Sequence, residues 1–108
     1  MVSNNNLFKI EFTEECIEEV TNIYSYISNN LKDNIAAKRL IEEMMERILD
    51  LENFPELYIK IGKTDRLKRD YHKMVIKNYI VLYSIDFLNK KVFISHIIYQ
   101  RRNYFKLI

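Results

Sequence analysis

The chain has 108 residues, 17 Lys and Arg against 15 Asp and Glu, a formal net charge of +2 and 48% hydrophobic residues. That length makes one domain over residues 1–108 with a single core, and the balance of charged and apolar residues argues against wholesale disorder. No apolar run reaches the roughly 20 residues of a membrane span, Asn4, Asn5 and Asn6 stand where a signal peptide would be apolar, and a single cysteine, Cys16, permits no internal disulfide. A cytoplasmic location with no membrane contact is expected.

The small net charge hides an asymmetry. Residues 1–52 hold 5 basic and 11 acidic side chains, whereas residues 53–108 hold 12 basic and 4 acidic ones. A surface in the second half that faces a polyanion or an acidic protein would account for this, as would mutual neutralisation of the halves within the fold.

In chain order, Phe8-Lys9-Ile10-Glu11-Phe12 alternates apolar and charged side chains, the pattern of a strand buried on one face. Thr13 then offers a hydroxyl cap, and Glu14 and Glu15 place negative charge beside the positive end of a helix. Ile17, Val20, Tyr24, Ile27 and Leu31 follow at helical spacing and predict the first amphipathic helix. After Asn29-Asn30 and Lys32-Asp33-Asn34, with Asp33 or Asn34 as the next cap, Ala37, Leu40, Met44, Ile48 and Leu51 predict the second. The short connection implies an antiparallel helical hairpin. Glu18-Glu19 and Glu42-Glu43 are expected on its solvated outer surface.

Glu56 to Arg69 lacks clear periodicity, contains the only glycine (Gly62), and is expected to be a flexible loop carrying Lys60, Lys63, Arg66, Lys68 and Arg69. Three strands follow. Tyr71–Ile76 and Tyr79–Ile85 are separated by a Lys77-Asn78 turn in which Asn tolerates left-handed backbone angles. A turn over Asp86–Lys90 leads to Val92–Ile98. The predicted fold is therefore α+β, in the order β-α-α-β-β-β, an antiparallel sheet packed against an N-terminal helical hairpin.

No glycine-rich phosphate loop, Cys-x-x-Cys or His-Glu-x-x-His is present, so no cofactor and no metal are expected. Cys16 reads as a small core residue. His96 is expected on one face with Val92, Ile94 and Ile98, in a structural role, and His72 beside Lys73 is the better candidate for proton transfer. The remaining chemistry is cationic: the loop residues, Lys73 and the Arg101-Arg102 pair, with Tyr71, Tyr99 and Tyr104 nearby, suited to phosphate, unpaired bases or acidic protein.

Three segments, Leu51-Glu52-Asn53-Phe54-Pro55-Glu56-Leu57, Val75–Tyr83 and Ile97–Tyr104, resemble in order and spacing the RelE/ParE toxin superfamily of bacterial type II toxin–antitoxin systems. The resemblance covers residues 7–105. In the closing segment Gln100 stands where glycine is usual and Asn103 where aspartate is frequent. The resemblance implies a toxin neutralised by a cognate antitoxin, and it admits two activities. RelE-like members are ribosome-dependent endoribonucleases that cut mRNA, for which His72, Lys73, Arg101, Arg102 and Tyr104 would supply the catalytic groups. ParE-like members poison DNA gyrase without cleavage chemistry of their own. The ribonucleases typically carry Arg directly after the Tyr of the central strand, where this chain has Ile80, and an aliphatic side chain cannot hold a phosphate. The resemblance thus leans toward the ParE side, with Lys60, Lys63, Arg66, Lys68, Arg69, Lys73, Arg101, Arg102 and Tyr104 as target- or antitoxin-binding residues. An inactive nucleic-acid-binding module is the remaining alternative.

Overall fold

The computed structural model describes residues 7–63, 70–102 and 104–107. Two helices pack on one face of a five-stranded mixed sheet. The first strand, β1 (Lys9–Phe12), leads into α1 (Glu14–Ser25), which continues as one π-helical turn, Tyr26–Asn30. Then come α2 (Asn34–Leu49), a 3-10 turn Asp50–Glu52, and the strands β2 (Ile59–Lys63), β3 (Asp70–Ile76), β4 (Tyr79–Asp86) and β5 (Lys91–Tyr99). A second 3-10 turn, Tyr104–Lys106, lies near the end. The strand order is β1-β5-β4-β3-β2.

The helix starts follow from their caps. Thr13 Oγ1 accepts the Cys16 N–H at 3.1 Å, and Asp33 Oδ1 accepts that of Ala36 at 2.9 Å, each satisfying one of the free amides of a first turn. In α2 and the 3-10 turn after it the expected stripe is the buried one: Ala37, Leu40, Met44, Ile48 and Leu51 are at most 6% exposed. In α1 the stripe is rotated by one residue. Cys16 is fully buried, with Val20, Ile23 and Ile27 packed on the same core, while Ile17, Tyr24 and Leu31 face outward. The core joins these helix faces to Met74 and Ile76, Val81 and Tyr83, and Val92, Ile94 and Ile97.

Three local features depart from the sequence expectations. The segment after Glu56 contributes the additional edge strand β2, antiparallel to β3 and interrupted by a register shift between Lys60 and Gly62. β1 joins β5 in parallel rather than antiparallel register, Lys9 opposite Lys91 through Phe12 opposite Ile94. At the β3–β4 turn the left-handed residue is Lys77, with φ 52°, and its ammonium reaches Glu43 of α2 at 3.6 Å. That pair and Lys91–Glu11 at 3.4 Å link the acidic and basic halves; exposed pairs of this kind contribute little to stability.

The buried thiol of Cys16 is inert for a physical reason. Burial in the core, reinforced by the carboxylate of Glu19, pushes its pKa from 9.0 up to about 12, so almost no thiolate forms near neutrality. Iodoacetamide at pH 8 is expected to leave the folded protein unmodified and to alkylate Cys16 fully in denaturant, as read by intact mass. Modification of the folded chain would show that α1 does not stay seated.

Candidate functional site

The sheet has one face under the helices and one face turned away from them. Strand alternation assigns the residues. In β3, His72, Met74 and Ile76 point toward the helices and Tyr71, Lys73 and Val75 away. In β4, Val81 and Tyr83 belong to the main core, whereas Ile80 and Leu82 belong to a second cluster with Tyr71 and Ile98. Ile61, Tyr104 and Leu107 pack against that second cluster. The C-terminal turn thus covers an apolar strip on the outer face, and Lys73 Nζ lies 5.6 Å from the centre of the Tyr104 ring, a cation–π contact.

The predicted site residues separate accordingly. Lys73 and Tyr104 meet on the outer face. His72 does not join them: it is 7% exposed, stacks on Tyr83 with ring centres 5.1 Å apart, and donates from Nδ1 to the Tyr58 carbonyl at 2.9 Å. One residue of strand alternation is enough to turn it into the core. Lys60 pairs with Asp70 at 2.9 Å on the β2–β3 edge. Arg101 and Arg102 are exposed in the turn after β5, where the Arg102 N–H bonds the Tyr99 carbonyl at 3.0 Å. The backbone of Lys63 ends β2, and Arg66, Lys68 and Arg69 lie outside the described residues.

A groove of about 690 Å³ opens between α1 with its π-helical turn and the far half of β5. β1 ends opposite Ile94, so among the described residues Ser95 to Tyr99 have no strand neighbour on that side. Side chains of α1 and its cap cover part of this edge instead. Thr13 Oγ1 donates to the Ser95 carbonyl at 2.9 Å, and Glu19 Oε1 accepts the Ile97 N–H at 3.0 Å. His96 Nδ1 approaches Glu19 Oε2 at 3.0 Å, with both side chains less than a fifth exposed.

A β-bulge makes that pairing possible. Leu82 is opposite His96 and Tyr83 opposite Ile94, so Ser95 is the extra residue. The bulge reverses the phase of β5, placing His96 and Ile98 on the outer face and Ile97 in the core, which corrects the expectation that His96 shares a face with Val92 and Ile94. Glu19, expected on the solvated surface, is turned inward as well. Its place between Cys16, Val20 and Ile23 on the rotated stripe is the signal that would have found it.

Farther along the groove stand Tyr26, Leu31, Tyr79, Tyr99 and Arg102. Tyr79 and Tyr99 meet edge to face at 5.9 Å, and burial, then the neighbouring Tyr99 and Tyr26, holds the Tyr79 hydroxyl above its usual pKa. The Tyr83 hydroxyl, donating to the Pro55 carbonyl at 2.8 Å, is pushed up to about 12, chiefly by burial. Asp86, in the β4–β5 turn, is held below the usual carboxylate value by hydrogen bonds from Asn89. Among the described residues no group of three or more His, Cys, Asp or Glu side chains is placed to hold a metal ion, and no helix is long and apolar enough to cross a membrane.

The fold is similar to that of chains in solved structures of toxin–antitoxin systems. A chain of the chromosomal ParDE system from P. aeruginosa superposes with a TM-score of 0.70 at 10% identity, over 87% of this chain and 97% of the other. A chain of the RelBE2 toxin–antitoxin complex from Mycobacterium tuberculosis gives 0.62 at 16% identity, over 86% and 98%. One from the archaeal RelE–RelB complex of Pyrococcus horikoshii gives 0.59 at 18%, over 89% and 98%. At such identities the likeness establishes the fold alone. Curated protein sequences give no match. The sequence profile described as the ParE toxin of the type II toxin–antitoxin system parDE matches residues 10–104. By that match, which spans nearly the whole chain, the protein belongs to the family of ParE toxins of type II toxin–antitoxin systems.

Proposed function

We propose that this toxin arrests growth by binding DNA gyrase rather than by cutting RNA, and that a cognate antitoxin neutralises it in the cytoplasm. The outer face of the sheet carries the reading. Cleavage through a ribose 2′-oxygen needs a proton carrier and cations that stabilise a phosphorane in one site. Here the outer face presents Ile80, Leu82, Ile98 and Tyr71 beneath Tyr104 and Leu107. His72 is on the opposite side of the sheet, His96 is taken up by Glu19 at the edge of β5, and Lys73 lies over the Tyr104 ring. Such a face suits packing better than catalysis.

The groove between α1 and β5 suits the antitoxin. Its apolar side chains and the Arg102 guanidinium match a segment with one apolar face and a carboxylate. Arg101, also exposed, precedes Arg102 in the same turn.

The test is induction of the toxin alone, with DNA and protein synthesis followed by pulse labelling. Early loss of DNA synthesis, with gyrase-dependent DNA breaks, is the expected result. Early loss of translation with cut mRNA would overturn the gyrase reading in favour of the ribosome and mRNA as targets, and would make Lys73, Arg101, Arg102 and Tyr104 the residues to substitute next. Absence of any arrest would mean an inactive binding module.

A further inference from the structure

The segment that joins α2 to β2 exposes large apolar side chains that the groove and the outer face do not use. Phe54 is 63% exposed, Leu57 58%, and Leu49 at the end of α2 53%; Ile59, which begins β2 opposite Lys73, belongs to the outer face instead. An apolar cluster on a loose loop would order itself only at an entropic cost. This one is held in place already. Leu51 and Pro55 of the same segment are buried. The Pro55 carbonyl accepts the Tyr83 hydroxyl at 2.8 Å, and the Tyr58 carbonyl accepts His72 Nδ1–H at 2.9 Å. Phe54 N–H bonds the Asp50 carbonyl at 3.0 Å, Leu57 N–H that of Phe54 at 3.2 Å, and Phe8 N–H that of Glu52 at 2.9 Å. A preformed apolar projection of this kind is the pattern of a protein-binding anchor.

Its surroundings select the partner. Residues 42–59 contain six acidic side chains and one basic one, Arg47. Arg47 is turned inward onto Tyr58, with Nη2 3.3 Å from the hydroxyl and the guanidinium 5.6 Å from the ring centre. Glu46, Asp50 and Glu56, within a few residues of Phe54 and Leu57 along the chain, are exposed, and Glu52 is half-buried. A carboxylate rim repels a nucleic-acid backbone and attracts lysine and arginine. Proteins that handle DNA carry such basic surfaces.

We infer that the Phe54–Leu57 projection is the surface with which the toxin engages its protein target, inserting into an apolar pocket rimmed by basic side chains. The antitoxin groove lies elsewhere, between α1 and β5. The assignment deepens the proposed toxin function and rests on it for the existence of a protein target.

The test compares wild type with Phe54→Ser/Leu57→Ser and with the charge reversal Asp50→Lys/Glu56→Lys. Each is assayed for growth arrest on induction and, as purified protein, for inhibition of supercoiling by purified gyrase. Far-UV circular dichroism and urea midpoint verify folding. Both variants should fold and lose at least tenfold in toxic potency, with gyrase inhibition falling in parallel. If a folded variant of either kind arrests growth like wild type, the inference is overturned. The charge reversal, confined to exposed side chains, keeps the test decisive if the serine variant fails to fold. The two readings separate cleanly. Wild type that inhibits gyrase alongside variants that inhibit it equally sinks the surface and leaves gyrase standing. Wild type without effect on gyrase, but with variants that lose arrest, sinks gyrase and keeps the surface with another protein target.

Discussion

Ending the chain at Arg102 should lower its stability by about 3 kcal/mol without creating ribonuclease activity. The magnitude follows from what the C-terminal turn covers: burial of an apolar side chain contributes about 1.5–3 kcal/mol. Tyr104 and Leu107 are each half-buried against Tyr71, Ile80, Leu82 and Ile98. Those four are at most 7% exposed with the turn in place. Loss of the Lys73–Tyr104 contact adds about 0.5–1 kcal/mol at a site of this exposure. The expected readout is a lower urea midpoint together with increased binding of a hydrophobic dye in the folded baseline, because an apolar strip is uncovered. An unchanged midpoint would mean that the turn rests on the sheet without stabilising it. Ribosome-bound mRNA incubated with the truncated protein should remain intact. The uncovered strip is Tyr71, Ile80, Leu82 and Ile98, and the truncation removes the Tyr104 hydroxyl without adding a group that could transfer a proton.

What the sequence could and could not show is clearest in particular residues. The α2 stripe was legible because Ala37, Leu40, Met44, Ile48 and Leu51 recur at helical spacing with Ile41 and Met45 beside them, which outweighs the isolated Ile35 and Leu49 on other faces. In α1 the choice was ambiguous. Ile17 and Tyr24 are more hydrophobic in appearance than Cys16 and Glu19, yet the latter pair faces inward. Glu19 does so because β5 has an amide at Ile97 that β1 is too short to cover. That demand comes from a strand 78 positions away and leaves no mark on the helix itself. The strand β2 escaped notice because edge strands need bury little, and its alternation of Ile59, Lys60 and Ile61 is only a few residues long before Gly62. The parallel pairing of β1 was hidden for a similar reason: alternation reports which face is buried and says nothing of a neighbour's direction.

The candidate site shows the same division. Arg101, Arg102, Lys73 and Tyr104 could be picked out as chemistry-bearing residues. Their arrangement depends on where the chain goes after β5, with Arg102 at the groove and Tyr104 over Lys73. His72 illustrates the opposite error. Its sequence neighbours are basic, but adjacent strand residues face opposite sides, so nearness to Lys73 along the chain means separation across the sheet. Ile80 packs with Leu82 and Ile98 on the outer face, the environment its aliphatic side chain requires.

Replacing Glu19 by Ala should cost about 2 kcal/mol, with the Gln variant falling between it and wild type. The carboxylate has two jobs at the open edge of β5, accepting the Ile97 N–H at 3.0 Å and facing His96 Nδ1 at 3.0 Å. A hydrogen bond to a charged group contributes about 1.5–3 kcal/mol. Both side chains remain partly accessible, at 19% and 14%, so water entering the alanine variant recovers part of the loss and the two contacts do not simply add. Glutamine keeps an amide oxygen for Ile97 but gives up the carboxylate oxygen that faces His96 Nδ1. The order wild type, Gln, Ala in urea midpoint therefore separates the contact to the Ile97 backbone from the contact to His96. Hydrogen exchange supplies the local readout. The Ile97 amide should exchange faster in Glu19→Ala than in wild type, while the amides of Met74 and Val81, inside the β3–β4 pairing, should change only by the global loss of stability. Equal protection of Ile97 in both proteins would show that the edge is closed by something other than Glu19. Faster exchange confined to that edge would identify α1 as the element that seals the far half of β5, and would mean that any partner entering the groove must displace or accommodate this carboxylate.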